Sequence, residues 1–269
     1  VLIVGSGAAA FSAAITARKK GASVIMFEKA STVGGTTIRS GGGYWTPNNS
    51  FQRELGIEDK KNDALRYMAR YSYPHLYNPD APMFGIPANE YEIMEAFYDK
   101  ASETVEFLAD CGALESIQEI NWTGKPQVDY MDHLPENKGV RGRVLFSKNP
   151  EGKLSYGFEM VSQLESWARD IQIQILTNHQ AMKIIQNDAK EITGIEVFRE
   201  GKEIVRAKAK KAVIFGSGGY SHNPEFMLHF QRGPHYGGCS APTNTGDFIT
   251  MAIEIGAKIG NMAGAFRAE

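Results

Sequence analysis

Val1-Leu2-Ile3-Val4-Gly5-Ser6-Gly7-Ala8-Ala9-Ala10 is the stretch whose reading decides the fold. The first four residues are all apolar and mostly β-branched, as a buried parallel strand requires. They run directly into a G-x-G-x-x-A turn, and Phe11 to Lys20 then reads as a helix ended by Gly21. Ser23 to Phe27 is a second apolar strand, closed by Glu28. Strand, glycine turn, helix and acid-closed strand follow one another as in a dinucleotide-binding βαβ unit. Gly5 permits the tight turn, Gly7 lets the backbone approach a pyrophosphate, and Ala10 lets helix and strand pack closely. The helix N-terminus, at Ala8 and Ala9, offers free N–H groups and partial positive charge to phosphates. Glu28 is placed to accept hydrogen bonds from ribose hydroxyls. A lone glycine turn without a ligand is the plainer alternative, and the surrounding elements argue against it.

The remaining composition narrows the class. The 269 residues carry a net charge of −2, which points to neither nucleic acid nor an anionic membrane as partner. No run of 18 apolar residues marks a membrane span. Cys111 and Cys239 form no C-x-x-C pair and read as reduced thiols of a cytoplasmic protein. Residue 1 already lies within a strand, so we expect a segment of a longer polypeptide.

Along the chain, the nucleotide-binding core is expected over 1–49 and 153–269, with a largely helical insertion over 50–152. Ala64, Leu65, Tyr67 and Met68 mark one helix of the insertion. A longer helix is predicted from Asn89, as N-cap, to Cys111, with Ile93, Met94, Phe97, Ala101, Val105 and Leu108 as its buried face. Tyr71, Tyr73 and Tyr77 read as packing of the insertion in preference to a substrate clamp. Beyond it, Phe158 to Trp167 reads as an amphipathic helix and Ile171 to Leu176 as an edge strand. Met182–Gln186, Ile192–Phe198 and Glu203–Ala207 read as a three-stranded meander. Lys211 to Phe215 is a further buried strand running into Gly216-Ser217-Gly218-Gly219. Arg18-Lys19-Lys20 reads as a solvated helix end, and His229, His235 and Cys239 lack metal-ligand spacing.

The segment Gly34-Gly35-Thr36-Thr37-Ile38-Arg39-Ser40-Gly41-Gly42-Gly43 holds five glycines and three hydroxyls, a composition costly to order. It makes sense where backbone presses against a flat or phosphorylated ligand. With the G-x-G-x-x-A turn, Glu28-Lys29, Gly218-Gly219-Tyr220-x-x-Asn223-Pro224-Glu225 and Asn244-Thr245-Gly246-Asp247, it gives the chain a clear resemblance. The sequence resembles the flavoproteins that include fumarate reductases, succinate dehydrogenases and 3-ketosteroid dehydrogenases, over nearly its whole length.

That resemblance implies an α/β fold, a Rossmann-like FAD-binding domain with a β-meander and a helical insertion. It implies FAD, with Gly5, Gly7 and Ala10 at the pyrophosphate and Glu28 at the adenosine ribose. Thr36, Thr37, Ser40, Gly41 and Gly42 would line the stretch from pyrophosphate to flavin, flanked by Lys29, Gly34, Gly35 and Gly43. The backbone of Ala181 would meet the adenine, Gly216, Ser217 and Gly218 would close over the adenosine half, and Asp247 would sit near the cofactor. Some relatives attach FAD to a histidine just before the Ser-Gly-Gly segment. Gly35-Thr36-Thr37 stands there in this chain, so non-covalent FAD is implied.

Within the family, Ser40-Gly41-Gly42-Gly43-Tyr44-Trp45-Thr46-Pro47-Asn48-Asn49 and Asp129-Tyr130-Met131-Asp132-His133-Leu134-Pro135-Glu136 look most like the ketosteroid dehydrogenase branch. There Tyr130 would assist catalysis; the alternative is a loop aromatic packed on the core. The activity implied is removal of two hydrogens across a carbon–carbon bond beside a ketone of a small-molecule substrate. Reduction of an unsaturated carboxylic acid and flavin binding without turnover stay open. The family's main catalytic acid or base, its substrate-clamping domain and a last glycine-rich FAD segment have no counterpart by residue 269. This segment alone is therefore expected to bind FAD weakly and turn over nothing.

Overall fold

A computed structural model describes residues 1–233 and 238–264. The chain divides into two compact units, one of Val1–Gly42 with Tyr156–Glu269 and one of Gly43–Ser155. In chain order the first unit begins with β1 (Leu2–Val4), α1 (Ala8–Lys19) and β2 (Ile25–Phe27). The second unit supplies β3 (Tyr44–Trp45), α2 (Ser50–Glu54), α3 (Lys61–Ser72), α4 (Ala88–Asp110), β4 (Ser116–Gln118), β5 (Val144–Lys148) and β6 (Leu154–Ser155). The first unit resumes with α5 (Gly157–Asp170), β7 (Gln174–Leu176), β8 (His179–Gln186), β9 (Ile192–Arg199) and β10 (Glu203–Lys208). It then ends with β11 (Val213–Phe215), α6 (Pro224–Phe230) and α7 (Asp247–Glu254).

In the first unit β1 is central in a four-stranded sheet of order β11-β1-β2-β7, with every neighbour parallel. Parallel strands covered on both faces demand continuous apolar runs, which Leu2-Ile3-Val4 and Ile25-Met26-Phe27 provide. The βαβ unit stands as predicted, the edge strand is shorter than expected (Gln174–Leu176, with Ile171 capping α5), and Ala10 of α1 is fully buried. Strands β8, β9 and β10 form the antiparallel meander, which packs Ala181, Ile184, Ile195 and Val197 against Leu2, Val4 and Phe27. Met251 of α7 joins the same cluster. The cationic end of α1 is exposed, with Arg18 Nε donating to the Ile171 carbonyl and Lys19 lying over the Trp167 ring.

The second unit holds α2–α4 and a small antiparallel sheet, β3-β5-β4, with β6 beside β5. Helix α4 departs from the predicted pattern. It starts at Ala88 with Pro87 as N-cap, so Asn89 lies inside the helix. Of the six residues assigned to its buried face only Met94 and Leu108 are buried, whereas Ile93 is 63% and Phe97 43% exposed. Apolar periodicity marks one stripe of a helix, and here only part of the stripe finds a partner within the unit. Helix α2 was not anticipated; Asn49 and Gln52 form a reciprocal capping box at its start. Tyr73 and Tyr77 pack on the cluster of Leu65, Phe84 and Met94, as expected of packing aromatics.

A buried charge cluster organises the rest of this unit. Arg143 is fully buried and makes a bidentate pair with Asp59, Nε to Oδ2 and Nη2 to Oδ1 both at 2.8 Å. Its Nη1 reaches Asp129 Oδ2 at 2.7 Å and also Asn137. The guanidinium lies over the rings of Trp45 and Tyr67, 5.4 and 5.2 Å from their centroids.

Candidate functional site

The turn from β1 to α1 leads into a cavity of the first unit. Gly5 has φ +101, which only glycine adopts freely, and a Cβ there would stand 2.4 Å from the Gly216 carbonyl oxygen. The turn is therefore wedged against the end of β11, and Gly216 in turn abuts Ala10. Gly7 is the N-cap of α1, which has no side-chain cap and no acid in its first turn. Its first N–H groups have no intrahelical acceptor, and that of Ala8 is taken by Thr37 Oγ1 at 3.1 Å. The helix end thus keeps its partial positive charge beside the cavity.

The second glycine segment is tied to the first. Gly34 donates its N–H to both the carbonyl and the hydroxyl oxygen of Ser6, at 3.1 and 3.0 Å. Thr37–Arg39 forms a short 3₁₀ turn, and the Ser40 carbonyl accepts the N–H of Gly157 at 3.1 Å. A Cβ on Gly157 would lie 1.8 Å from the Thr37 carbonyl oxygen, so the start of α5 is pressed against this turn.

Glu28 is buried at the end of β2, where β7 hands over to β8. Its backbone N–H donates to Leu176 and its carbonyl accepts from His179, both at 2.8 Å. Its carboxylate accepts from the Ser6 hydroxyl at 2.5 Å and from the Ala30 N–H at 2.7 Å. The same hand-over brings Gln180 and Ala181 beside Glu28, and a bulge after Ala181 shifts the register of β8 against β9.

Opposite stands Asp247, the first residue of α7, after Gly246 at φ +73. It accepts from Lys29 Nζ at 3.0 Å, from Gln180 Nε2 at 2.7 Å and from Thr245 Oγ1 at 2.6 Å. Burial alone would raise the Asp247 carboxyl, but the hydrogen bonds from Thr245, Lys29 and Gln180 and the Lys29 charge hold it below its ordinary value.

These groups enclose a cavity of about 260 Å³. Gly5, Gly7, Ala8, Ala9, Glu28 and Lys29 line it, as do Gly35, Thr36, Thr37 and Ala181. Gly216, Ser217, Gly218 and Asp247 complete the set of sequence-expected residues there. Ala10, Gly34, Ser40, Gly41 and Gly42 do not line it, and Gly43 and Tyr130 belong to the second unit. Tyr130 is 77% exposed, which sets aside its reading as a packed core aromatic. Ser6, His179, Gln180, Asn244 and Thr245 line the cavity without having been assigned a role from sequence. Asn244 and Thr245 carried a signal, since they stand in the Asn-Thr-Gly-Asp motif; Ser6, His179 and Gln180 carried none. His179 is buried, with Nδ1 2.6 Å from the Thr177 carbonyl oxygen.

The arrangement suits the ADP half of a dinucleotide. The N-terminus of α1, with its Ala8 N–H held by Thr37 Oγ1, and the Glu28 carboxylate both line the cavity. Val4, Phe27, Ala181 and Met251 give an apolar wall of the kind a purine needs. Asn244, which also lines the cavity, has a buried Oδ1 without a hydrogen-bond donor among the described residues. The volume lies slightly below the range usual for whole small-molecule ligands. No group of metal-ligating side chains occurs among the described residues; His235 lies outside them. No helix among the described residues is long and apolar enough to cross a membrane.

Comparison with known proteins gives a consistent picture. The profile of the family described as "FAD binding domain" matches residues 1–266. A probable fumarate reductase of Shewanella frigidimarina is 28% identical over 264 residues, covering 96% of this chain and 39% of the relative. A 3-oxosteroid 1-dehydrogenase of Mycolicibacterium smegmatis is 26% identical, with 99% of this chain and 55% of the relative covered. The crystal structure of 3-ketosteroid delta1-dehydrogenase from Sterolibacterium denitrificans superposes with a TM-score of 0.77 at 23% identity, over 97% of this chain and 55% of that one. The chain thus spans roughly 40 to 55% of the length of these relatives.

Proposed function

Because the chain belongs to the FAD-binding domain family of fumarate reductase and succinate dehydrogenase flavoproteins, we propose that its cavity holds the adenosine diphosphate half of non-covalent FAD. We further propose that the chain serves an oxidoreductase removing two hydrogens across a carbon–carbon bond beside a ketone, in a 3-ketosteroid-like substrate. The observation that carries the cofactor assignment is the convergence on one cavity of both glycine segments, Glu28 and Asp247. Bound FAD supplies the hydride acceptor for such a reaction. Gly7, Ala8 and Thr37 are suited to the pyrophosphate, and Glu28 to the ribose. Ala181, Gly216, Ser217 and Gly218 are suited to the adenosine. Ser40, Gly41, Gly42 and Gly43 are left for the stretch toward the flavin. Non-covalent attachment is supported by Gly35-Thr36-Thr37 at the place of the attaching histidine. The cavity's own histidine, His179, is engaged at the adenosine end.

Tyr130 is the proton-handling candidate for the ketone reading. Its ring is exposed, and its loop is fixed on both sides: Asp129 is bound to Arg143, and the Met131 N–H donates to Tyr67 Oη at 3.4 Å. A second reading, reduction of an unsaturated carboxylic acid, is favoured by the 28% identity to a probable fumarate reductase.

The test is anaerobic mixing of the oxidised native gene product with a 3-ketosteroid, following the visible flavin band. Rapid bleaching supports the dehydrogenase. Absence of bleaching, with the dithionite-reduced protein reoxidised by fumarate or a related unsaturated acid, replaces it with the reductase. Acid precipitation should leave all yellow colour in the supernatant; colour in the pellet overturns non-covalent binding.

A further inference from the structure

We propose that Ser6 is a positioning residue for the cofactor, holding the Glu28 carboxylate in the orientation that receives an adenosine ribose hydroxyl. The inference rests on the reading that the cavity takes the ADP half of FAD.

Ser6 fills the unspecified second place of G-x-G-x-x-A, where the motif asks for nothing. It is nevertheless buried, and its hydroxyl has two partners: Glu28 Oε2 at 2.5 Å and the Gly34 N–H at 3.0 Å. A hydroxyl carries one proton. Because Gly34 donates to the oxygen, that proton is committed to Glu28, and the direction of the contact is fixed. The other carboxylate oxygen, Oε1, accepts from the Ala30 N–H. One donor on each oxygen fixes the plane of the carboxylate, and each oxygen retains a further acceptor site. Those remaining sites belong to a side chain that lines the cavity.

The connectivity also separates this role from simple stapling. Gly34 donates to the Ser6 carbonyl at 3.1 Å as well as to its hydroxyl, so removing the hydroxyl leaves the two glycine segments joined. What Ser6→Ala removes uniquely is the donor to Glu28. Its effect should appear only where the ligand presents the hydroxyl that Glu28 receives.

The experiment is calorimetric titration of ADP and of 2′,3′-dideoxy-ADP, which lacks both ribose hydroxyls, into the wild-type chain, Ser6→Ala and Ser6→Cys. The cysteine keeps a similar volume but donates weakly, so a folding defect peculiar to one variant does not decide the result. In both variants affinity for ADP should fall about tenfold, in line with loss of a hydrogen bond to a charged group. Affinity for 2′,3′-dideoxy-ADP should stay within about twofold, so the preference for ribose collapses. Equal losses for both nucleotides, or no loss for either, overturn the positioning role. A wild-type chain that binds neither ADP nor FAD instead overturns the cofactor reading beneath it.

Discussion

Lys29 and Asp247 are 218 positions apart in sequence, yet the ammonium nitrogen stands 3.0 Å from the carboxylate oxygen. The pair joins the end of β2 to the start of α7, with Thr245 and Gln180 as further donors to the same carboxylate. Asp247→Asn should lower stability by about 1–2 kcal/mol, since it weakens charge-assisted bonds in a half-buried site. The folded carboxyl sits below its ordinary value of 3.8, so its contribution is complete above that value. It is lost as pH falls through the lower folded value. Melting curves of wild type and variant should therefore run parallel from pH 7 to about 4 and converge at more acid pH.

Gly5→Ala places a side chain where φ is +101 and where the Gly216 carbonyl would be 2.4 Å away. Strain and overlap with unyielding backbone should together cost about 2–4 kcal/mol. Chemical denaturation measures the loss. Retained FAD affinity in a stable Gly5→Ala chain would show that the turn is not part of the cofactor site.

Gly157→Ala tests the pressure of α5 on the second glycine segment. Its Cβ would fall 1.8 Å from the Thr37 carbonyl, so the 37–40 turn must move. Thr37 Oγ1 would then release the Ala8 N–H. FAD affinity, read by quenching of flavin fluorescence, should drop at least about tenfold, corresponding to 1.4 kcal/mol or more.

Arg143→Ala strips the counter-charge from Asp59 and Asp129, both buried. Leaving two carboxylates in that environment should cost about 3–5 kcal/mol. Asp129→Asn should be much milder, because burial already pushes the Asp129 carboxyl above its ordinary range despite the hydrogen bond and charge of Arg143. Urea unfolding followed by tryptophan fluorescence, to which Trp45 above the guanidinium contributes, compares the two.

The nucleotide half of this molecule was legible because its signals are local. A buried parallel strand, a turn needing positive φ and an acid closing β2 are each written within 28 residues. The meander was legible for the same reason, through its turn residues and alternation. Helix α4 was legible in extent but not in face: periodicity shows which residues are apolar, not how fully a partner covers them, and Ile93 stayed exposed while Phe97, stacked on Trp45, is only partly covered. The capping box of α2 is written as Asn49-x-x-Gln52, but it spans the end of the Ser40–Asn49 stretch and the next segment, so neither alone shows it. Ser6 and Gln180 could not be found, since their roles depend on partners 22 and 67 positions away. Arg143 carries no local signal either, since its function in the fold is to neutralise Asp59, 84 positions earlier.

The placement of β1 has a kinetic consequence. One of its neighbours, β2, arrives within the same βαβ hairpin, but the other pairs Leu2 with Val213. The wall that Gly216 to Gly218 contribute to the cavity can therefore form only after the longest loop of the unit has closed, and such closures are slow. Capture of the nucleotide should lag behind the appearance of helical signal during refolding. The cofactor would then act less as a nucleus for this domain than as a lock turned after it has closed.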